Sequence, residues 1–258
     1  MADTDVLTID ITDRVATLTM NRPEARNALN RDLRAALPAA MADADGSDDV
    51  DVIILTGTDP AFCAGLDLRE LGAGANRITG DSPDLVGRPW AVTTKPVIGA
   101  VNGPAITGGF ELALNCDFLI ASHRARFADT HARVGVMPGW GLSVLLPQAI
   151  GVRRARQLSL TGNFLDAHTA LAWGLVNHVV DPVELLPTAH QLASDIAGND
   201  QRGVARMLET YRAVTGTTID DGWRIEARMG AEWARGGIDP ASIEERRQAI
   251  VDRGRSQL

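Results

Sequence analysis

The sequence predicts an α/β fold, and three features of the chain support that prediction. Residues 5 to 12 and 14 to 20 alternate apolar and polar side chains around Asp13 and Arg14, the pattern of a two-stranded hairpin. Short continuous apolar runs, followed by turns and helical patterns, then indicate buried strands in strand-turn-helix units. From about residue 183 onward, Arg-, Glu- and Ala-rich amphipathic segments predict helices alone.

The remaining elements of the first part follow in chain order. Apolar residues at helical spacing predict a helix over residues 27 to 44. Apolar, partly β-branched runs predict strands at residues 50 to 55, 97 to 101 and 118 to 121. Between the first two of these strands, residues 72 to 89 are rich in glycine and polar side chains. That stretch is long enough to be either a mobile flap or a binding loop.

Composition and charge exclude several classes of function. A chain of 258 residues that is 45% hydrophobic can bury one substantial core, with an appended region beside it. The net charge of −8 argues against binding to nucleic acid or to an anionic membrane, since both require a basic field. The N-terminal residues contain no apolar signal segment, and no later run reaches ~18 uninterrupted apolar residues. We therefore expect a cytoplasmic protein.

The usual cofactor and nucleophile motifs are missing from the sequence. Lys95 is the only lysine, so a phosphate-binding lysine and Schiff-base chemistry have little support. Cys63 and Cys116 lie far apart, without a C-x-x-C motif or a nearby histidine pair, which argues against a disulfide scaffold and a zinc site. There is also no G-x-G-x-x-G, G-x-S-x-G or H-E-x-x-H motif. No metal and no redox cofactor are expected.

Two strand-to-helix junctions remain, TGTDPAFCAGLDLREL and IGAVNGPAITGGFEL, and both contain glycine beside small residues. Backbone N–H groups at the start of a helix lack intrahelical partners and can bind an anionic oxygen. Two such groups that converge on one carbonyl oxygen would form an oxyanion hole, which stabilises the enolate of a thioester. The alternative is that Gly108 and Gly109 only allow the second helix to pack closely on its strand.

Six stretches of the chain together carry a resemblance to a known family. They are residues 21 to 29 (NRPEARNAL), 61 to 68 (AFCAGLDL), 95 to 104 (KPVIGAVNGP), 108 to 117 (GGFELALNCD), 136 to 139 (VMPG) and 171 to 176 (LAWGLV). In this order they resemble the crotonase, or enoyl-CoA hydratase/isomerase, superfamily. The resemblance covers about residues 5 to 182, and it is specific for the fold and for acyl-CoA binding but less so for the reaction.

The resemblance implies both an architecture and a binding site. It implies a crotonase-type spiral of repeated ββα units over residues 1 to 190 and a C-terminal helical trimerisation region over residues 191 to 258. Homo-trimers, or hexamers built as dimers of trimers, are implied with it. The N–H groups of Leu66 and Gly108 would form the oxyanion hole. The residues implied in substrate or CoA binding are Arg26, Ala28, Ala64, Asp67, Leu68, Gly109, Pro138, Gly139 and Trp140.

Several of these residues have a more specific expected contact. The backbone near Ala64 and Leu68 would bind the adenine, and Arg26 is expected at the nucleotide phosphates because a guanidinium suits that task. Arg26 is alternatively a solvated charge near a helix start. Gly139 matches a glycine that helps to hold the water molecule in hydratases. Trp140 stands where relatives have a small residue and would reshape the acyl pocket.

Two side chains are the expected acid and base. Glu111 stands where the hydratases have a glutamate that faces the α and β carbons of the substrate, although it could also merely favour the helix dipole. Hydratases usually carry a second glutamate before the V-G-V-x-P-G turn, and this chain has His131 there. Histidine can transfer a proton near neutral pH, so we expect an auxiliary catalytic role for His131. A binding or packing role is the alternative.

The sequence thus predicts an enoyl-CoA hydratase-like enzyme that adds water reversibly to a 2-enoyl-CoA, with coenzyme A present only as part of the substrate. Two alternatives remain open. One is another enolate reaction, such as double-bond isomerisation, thioester hydrolysis or decarboxylation. The other is an acyl-CoA binding protein without turnover.

Overall fold

The computed structural model describes residues 6–73, 87–236 and 240–256. Nine strands occur in these ranges: β1 Leu7–Thr12, β2 Val15–Met20, β3 Val52–Gly57, β4 Val97–Val101, β5 Pro104–Ile106, β6 Phe118–Ser122, β7 Arg126–Ala128, β8 Leu165–Asp166 and β9 His178–Val180. The predicted hairpin is confirmed as β1 and β2, which pair antiparallel from Leu7 opposite Met20 to Thr12 opposite Val15. The predicted strands at residues 50 to 55, 97 to 101 and 118 to 121 are confirmed as β3, β4 and β6, with bounds shifted by at most two residues.

Eleven α-helices lie in the described ranges: α1 Arg31–Gly46, α2 Leu68–Gly72, α3 Gly108–Leu114, α4 His131–Val134, α5 Leu142–Ile150, α6 Val152–Thr161, α7 Ala167–Trp173, α8 Leu185–Ala197, α9 Gln201–Val214, α10 Ile219–Arg235 and α11 Pro240–Ser256. Two short 3₁₀ turns occur at Pro23–Ala25 and Pro182–Glu184. Of the loop predicted at residues 72 to 89, residues 74 to 86 lie outside the described residues.

The first long helix begins later than the sequence pattern predicts. Asn27 has a left-handed backbone, with φ of 55°, which is incompatible with a helix. Its buried side chain instead donates to the carbonyl oxygens of Thr58 and Ala61, at 2.8 and 2.7 Å. Asn30 then caps α1 by accepting a hydrogen bond from the N–H of Leu33 at 3.0 Å.

Two sheets organise the chain. The larger has the strand order β1-β2-β3-β4-β6-β9, and the smaller has the order β5-β7-β8. From β2 to β9 the larger sheet is parallel throughout. One face of it carries the main core, and the other is covered by α8 through Leu185, Ala189 and Ala193. Burial on both faces explains why these strands are continuously apolar.

The chain runs between the two sheets as a spiral. Three successive turns each place a strand in the larger sheet, then a strand or bridge beside the smaller one, and then a short helix, ending in α2, α3 and α4. Cys63 pairs with Ala105 and Ala105 pairs with Phe127, so the turns are stacked in register. The implied crotonase-type spiral of ββα units, with helices at the C-terminus, is confirmed.

By packing, the chain divides into two compact units, Met1–Ala205 and Arg206–Leu258. The boundary expected between residues 190 and 191 stays a prediction. In the second unit, Arg206 joins α9 to α10 through Glu232, at 2.7 Å, and through the carbonyl oxygen of Met229. Among the described residues, no helix is both long and apolar enough to cross a membrane.

Candidate active site

The first of the two strand-to-helix junctions bends at Gly65. Gly65 has φ of +87°, and its carbonyl oxygen accepts the N–H of Leu29 at 2.8 Å. The N–H of Asp67 in turn donates to the carbonyl oxygen of Leu29 at 3.2 Å. Because Leu66 lies between these two bonds, its own N–H points away from Leu29. In the described part of the chain that N–H has no hydrogen-bond acceptor.

The second junction bends at Thr107, immediately before α3. Thr107 has φ of 54° and ψ of −112°, a conformation that a β-branched residue rarely adopts. Its N–H donates to the carbonyl oxygen of Ala128 at 2.8 Å, and its hydroxyl makes a short hydrogen bond with that of Thr130. The N–H of Gly108, which follows, has no acceptor among the described residues.

The stacked register brings the two bends together. Leu66 and Gly108 each follow three residues after the paired Cys63 and Ala105. A Cβ built on Gly108 would lie 3.8 Å from the Cα of Gly65, and one built on Gly65 would lie 3.4 Å from the N of Gly108. The N–H groups of Leu66 and Gly108, which have no acceptor within the described part of the chain, therefore lie on neighbouring turns of the spiral, as an oxyanion hole requires.

Glu111 lies one helical turn beyond Gly108, and its side chain is only 3% exposed. Oε1 accepts the N–H of Trp140 at 2.7 Å and that of Leu142 at 3.4 Å, at the start of α5. Asn115 holds the same loop by donating to the carbonyl oxygens of Trp140 and Glu111, both at 2.8 Å. These bonds fix one carboxylate oxygen and leave Oε2 directed toward His131.

His131 lies between two carboxylates. Its Nε2 is 3.5 Å from Oε2 of Glu111, and its Nδ1 is 2.6 Å from Oδ1 of Asp129. Burial alone would lower the pKa of His131, but the hydrogen bonds and charges of Asp129 and Glu111 outweigh burial and raise it to about 9. Burial acts to raise the pKa of Asp129, yet hydrogen bonds from His131 and Ser159 leave it below its ordinary value.

These groups line one small pocket, together with residues of the loop before α5. Its lining residues are Leu66, Gly108, Glu111, His131, Met137, Gly139 and Trp140, and the space, including part open to solvent, is about 270 Å³. The structure thus brings together both expected amides, the expected acid and base, Gly139 and Trp140.

Five of the residues expected to bind substrate or CoA lie in two segments, one before α1 and one that contains the bend at Gly65 and the start of α2. Arg26 is exposed, and its carbonyl oxygen accepts the N–H of Ala64 at 3.0 Å. Ala28 is buried, and its carbonyl oxygen accepts a short hydrogen bond from Arg22. Leu68 opens α2 with 62% of its surface exposed.

Asp67 connects these loops through its carboxylate. It accepts hydrogen bonds from Arg22 at 3.2 Å and caps α2 through the N–H of Arg69 at 3.1 Å. Burial acts to raise the pKa of Asp67, but the bonds from Arg69 and Arg22 hold it below its usual value. Arg22 therefore connects residues 21 to 29 with residues 61 to 68, the first two stretches that carry the resemblance.

Two further expected binding residues have different surroundings. Gly109 packs against the preceding turn, since a Cβ there would come within 2.1 Å of the carbonyl oxygen of Cys63. The absence of a side chain is required for that packing. Pro138 lies between Met137 and Gly139, which both line the pocket.

Sequence reasoning missed five residues that shape the site. Asp129, Ser159, Thr107, Thr130 and Asn115 all contact or support the groups described above. The Asp-x-His spacing and the Asn beside Cys116 were the available signals.

Burial raises the pKa of Cys116 far above its ordinary range and that of Cys63 to about 12. Among the described residues, no cluster of His, Cys, Asp or Glu side chains is suited to a metal ion.

Comparison with known proteins agrees with the fold. The model of the enoyl-CoA hydratase/isomerase family matches residues 10–238. The probable enoyl-CoA hydratase 1, peroxisomal, of Arabidopsis thaliana is 42% identical over 215 residues, which cover 82% of this chain and 77% of that relative. The probable enoyl-CoA hydratase of Rhizobium meliloti is 39% identical over 228 residues, covering 87% of this chain and 88% of the relative.

A solved structure is similar over nearly its full length. The enoyl-CoA hydratase from Mycobacterium tuberculosis H37Rv has a TM-score of 0.76 and 53% identity, and the match covers 88% of this chain and 98% of that one. The chain belongs to the enoyl-CoA hydratase/isomerase family, and the resemblance found in the sequence is confirmed.

Proposed function

We propose that the protein is an enoyl-CoA hydratase that adds water reversibly across the double bond of a 2-enoyl-CoA thioester. The observation that carries this proposal is the pocket itself: it is lined by the buried Glu111 and by Leu66 and Gly108, whose N–H groups have no acceptor among the described residues. The N–H groups of Leu66 and Gly108 would bind the thioester oxygen. They would stabilise the enolate that forms when water attacks the β-carbon.

The relatives support hydration as the reaction. Proteins named as enoyl-CoA hydratases match most of this chain, at 42% and 39% identity in the two cases given above. These matches confirm the hydratase-like function that the sequence predicts. The acyl group is not specified by these names.

Glu111 is proposed as the principal base. Its Oε1 is held by backbone N–H groups at 2.7 and 3.4 Å, so Oε2 is the oxygen available to a water molecule in the pocket. A positioned carboxylate that removes a proton from water typically contributes 10²- to 10⁴-fold to the rate. His131, at 3.5 Å from Oε2, is proposed as the second proton-handling group.

Arg26, Ala28, Ala64, Asp67 and Leu68 remain the proposed contacts of the CoA moiety. Support comes from their position in two loops that Arg22 connects by hydrogen bonds, at the bend at Gly65. Gly109 and Pro138 remain proposed substrate contacts, and Gly139 a proposed contact of the attacking water. The thioester itself acidifies the α-carbon, so the proposed chemistry uses no cofactor other than the CoA of the substrate.

We further propose assembly as a homo-trimer or a dimer of trimers. Exposed large apolar side chains of the first unit support it, among them Val144 at 61%, Leu160 at 80% and Phe164 at 55%. In the second unit, Met207, Tyr211, Ile219 and Trp223 are each more than half exposed. Light scattering on the purified protein would give the mass of the assembly.

The cytoplasmic location stays a prediction, because one relative is peroxisomal by name.

The deciding experiment offers the purified protein a 2-enoyl-CoA, a 3-enoyl-CoA and a saturated acyl-CoA, and identifies the products by mass spectrometry. We expect hydration of the 2-enoyl-CoA and a loss of about 10²- to 10⁴-fold in kcat for Glu111→Gln. The Gln side chain can still accept the N–H of Trp140, so the fold should persist. Glu184→Gln changes an exposed glutamate outside the pocket and is the matched control.

The other outcomes identify the alternatives. Conversion of the 3-enoyl-CoA without hydration would make the protein an isomerase that uses Glu111. Release of free CoA from the saturated substrate would indicate thioester hydrolysis. Binding of all three ligands without any product would indicate an acyl-CoA binding protein.

A further inference from the structure

A continuous chain of polar contacts runs behind the pocket. Ser159 on α6 hydrogen bonds to the carboxylate of Asp129, whose Oδ1 accepts both the backbone N–H of His131 at 3.1 Å and its Nδ1 at 2.6 Å. The other ring nitrogen of His131 faces Oε2 of Glu111 at 3.5 Å. Asp129 and His131 are almost fully buried, with side chains 3% and 6% exposed.

The contact at Nδ1 determines what Nε2 can do. A carboxylate oxygen can only accept, so the bond from Nδ1 to Asp129 places a proton on Nδ1. Nε2 then carries either a lone pair, in neutral His131, or a second proton, in the imidazolium. Two carboxylates on opposite sides of the ring favour the imidazolium.

No other charged group of the described residues competes for the ring of His131. Glu111 approaches it from α3, and Asp129 approaches it from the connection between β7 and α4. From α6 the neighbouring group is the neutral Ser159. Arg133, on the same short helix as His131, instead donates to the carbonyl oxygen of Thr161 and to Asn163.

We propose that Asp129 is a positioning residue that fixes the ring of His131 and keeps Nε2 protonated, so that His131 donates a proton to the α-carbon of the substrate. This inference rests on the proposed hydration. Asp129 itself does not touch the pocket and would act only through His131. It therefore makes His131 an acid, while Glu111 remains the base.

The proposed step balances in atoms and charge. Oε2 of Glu111 takes one proton from water as the water oxygen bonds to the β-carbon, and the electrons of the double bond move toward the thioester oxygen. Nε2 of His131 gives its proton to the α-carbon as the enolate collapses. Glu111 is then protonated and His131 neutral. Return of the proton across the 3.5 Å between Oε2 and Nε2 restores both groups, and one water has been added.

The test separates the charge of Asp129 from its shape. Asp129→Asn keeps an oxygen that can accept from His131 but removes the negative charge, whereas Asp129→Ala removes both. Asp166→Asn is the matched control, since Asp166 caps α7 through Thr169 at 2.9 Å and does not line the pocket. Each variant is studied as the full chain.

Two measurements are made on each variant. The first is the pH dependence of hydration, in which wild-type kcat/KM should fall as the pH rises through the pKa of His131 in the free enzyme, about 9. In Asp129→Asn this fall should shift to lower pH by at least ~1 unit, with KM little changed. In Asp129→Ala, kcat should fall about 10- to 100-fold at every pH. Asp166→Asn should match the wild type.

The second measurement is independent of turnover. Nitrogen NMR of ring-labelled histidine reports the pKa and the protonated nitrogens of His131, assigned with His131→Gln. We expect a high pKa in the wild type and a lower one in Asp129→Asn. An unchanged His131 titration in Asp129→Asn overturns the proposal. If the wild type hydrates no enoyl-CoA, the proposed function fails, while the NMR result still decides whether Asp129 sets the protonation of His131.

Discussion

Gly65 and Gly108 lie against each other across two turns of the spiral. A Cβ on Gly108 would be 3.8 Å from the Cα of Gly65, which is ordinary contact. A Cβ on Gly65 would be 2.7 Å from the carbonyl oxygen of Ile106, which is a clash with rigid backbone. The close approach of the two bends therefore depends on glycine at position 65, which also has φ of +87°.

Gly65→Ala should displace the two N–H groups and lower activity. The positive φ and the clash should cost about 1–3 kcal/mol of unfolding free energy. A displacement of the proposed donors by ~1 Å should lower kcat by about 10²-fold. Urea denaturation and steady-state hydration measure the two effects. Gly72→Ala is the control, because no atom of the described residues lies within 4 Å of a Cβ at Gly72. An active, stable Gly65→Ala would contradict the assigned oxyanion hole.

The two junctions could be predicted from sequence because each is a local feature. A strand, a glycine turn and a helix start follow within a few residues at Gly65 and again at Gly108. Glu111 could be predicted for the same reason, since one helical turn fixes its distance from Gly108. The contact of Glu111 with Trp140 could not be predicted. It joins residues 29 positions apart and depends on how α5 packs against α3.

Thr107 shows a second limit of sequence reasoning. A β-branched side chain argues against a positive φ, so the sequence does not indicate a bend at Thr107. In the structure the bend falls on Thr107, and its N–H and hydroxyl bonds to Ala128 and Thr130 compensate for the unfavourable backbone. Asp129 was likewise not identified. Only Thr130 separates it from His131 in the sequence, but the β7 to α4 connection is what orients both side chains toward each other.

Trp140→Ala should change the preferred length of the acyl chain. The indole lies beside Gly108, with Cζ3 3.7 Å from the position of a Cβ there, and it lines the pocket. The backbone contacts of Trp140 with Glu111 and Asn115 do not need the side chain. We therefore expect the ratio of kcat/KM for long over short enoyl-CoA substrates to rise by roughly tenfold.

The control for this variant is Trp173→Ala. Trp173 also packs against the core, but its ring is stacked under Arg154, at 5.2 Å, and does not line the pocket. Its removal should lower stability without changing the chain-length ratio. An unchanged ratio in Trp140→Ala would mean that the indole does not limit the acyl site.

Arg22→Gln should weaken the binding of acyl-CoA more than it slows turnover. Arg22 holds the carbonyl oxygen of Ala28 and the carboxylate of Asp67, in the two loops proposed to bind CoA. Loss of these charge-assisted bonds should weaken the free energy of acyl-CoA binding by about 1.5–3 kcal/mol. We expect KM to rise about tenfold or more, with kcat changed by less than about threefold.

Arg14→Gln is the matched control for Arg22→Gln. Arg14 is also paired with a carboxylate, that of Asp51, but it precedes β2 and Asp51 precedes β3. Arg22 and Asp67 follow the ends of the same strands, so the two pairs lie at opposite edges of the sheet. Arg14→Gln should leave KM unchanged. If both variants raise KM equally, the rise results from a general loss of stability and not from the loops proposed to bind CoA.

The free energy of unfolding should decrease between about pH 6.5 and pH 9 because of His131. Its pKa is raised from 6.5 to about 9 in the folded chain. A group whose folded pKa is raised contributes stability fully below its unfolded pKa and loses it as the pH rises through the folded pKa. The loss should be on the order of 1–3 kcal/mol for one buried histidine. Urea midpoints at intervals across this range would measure it.

His131→Gln should largely remove this dependence, since glutamine does not titrate. The buried thiols of Cys63 and Cys116 resist ionisation in the fold, so they would add a decrease of their own near the upper end of the range. The comparison is therefore made on a background in which both cysteines are alanine. If wild type and His131→Gln lose stability equally as the pH rises, the two carboxylates do not hold His131 in its charged form.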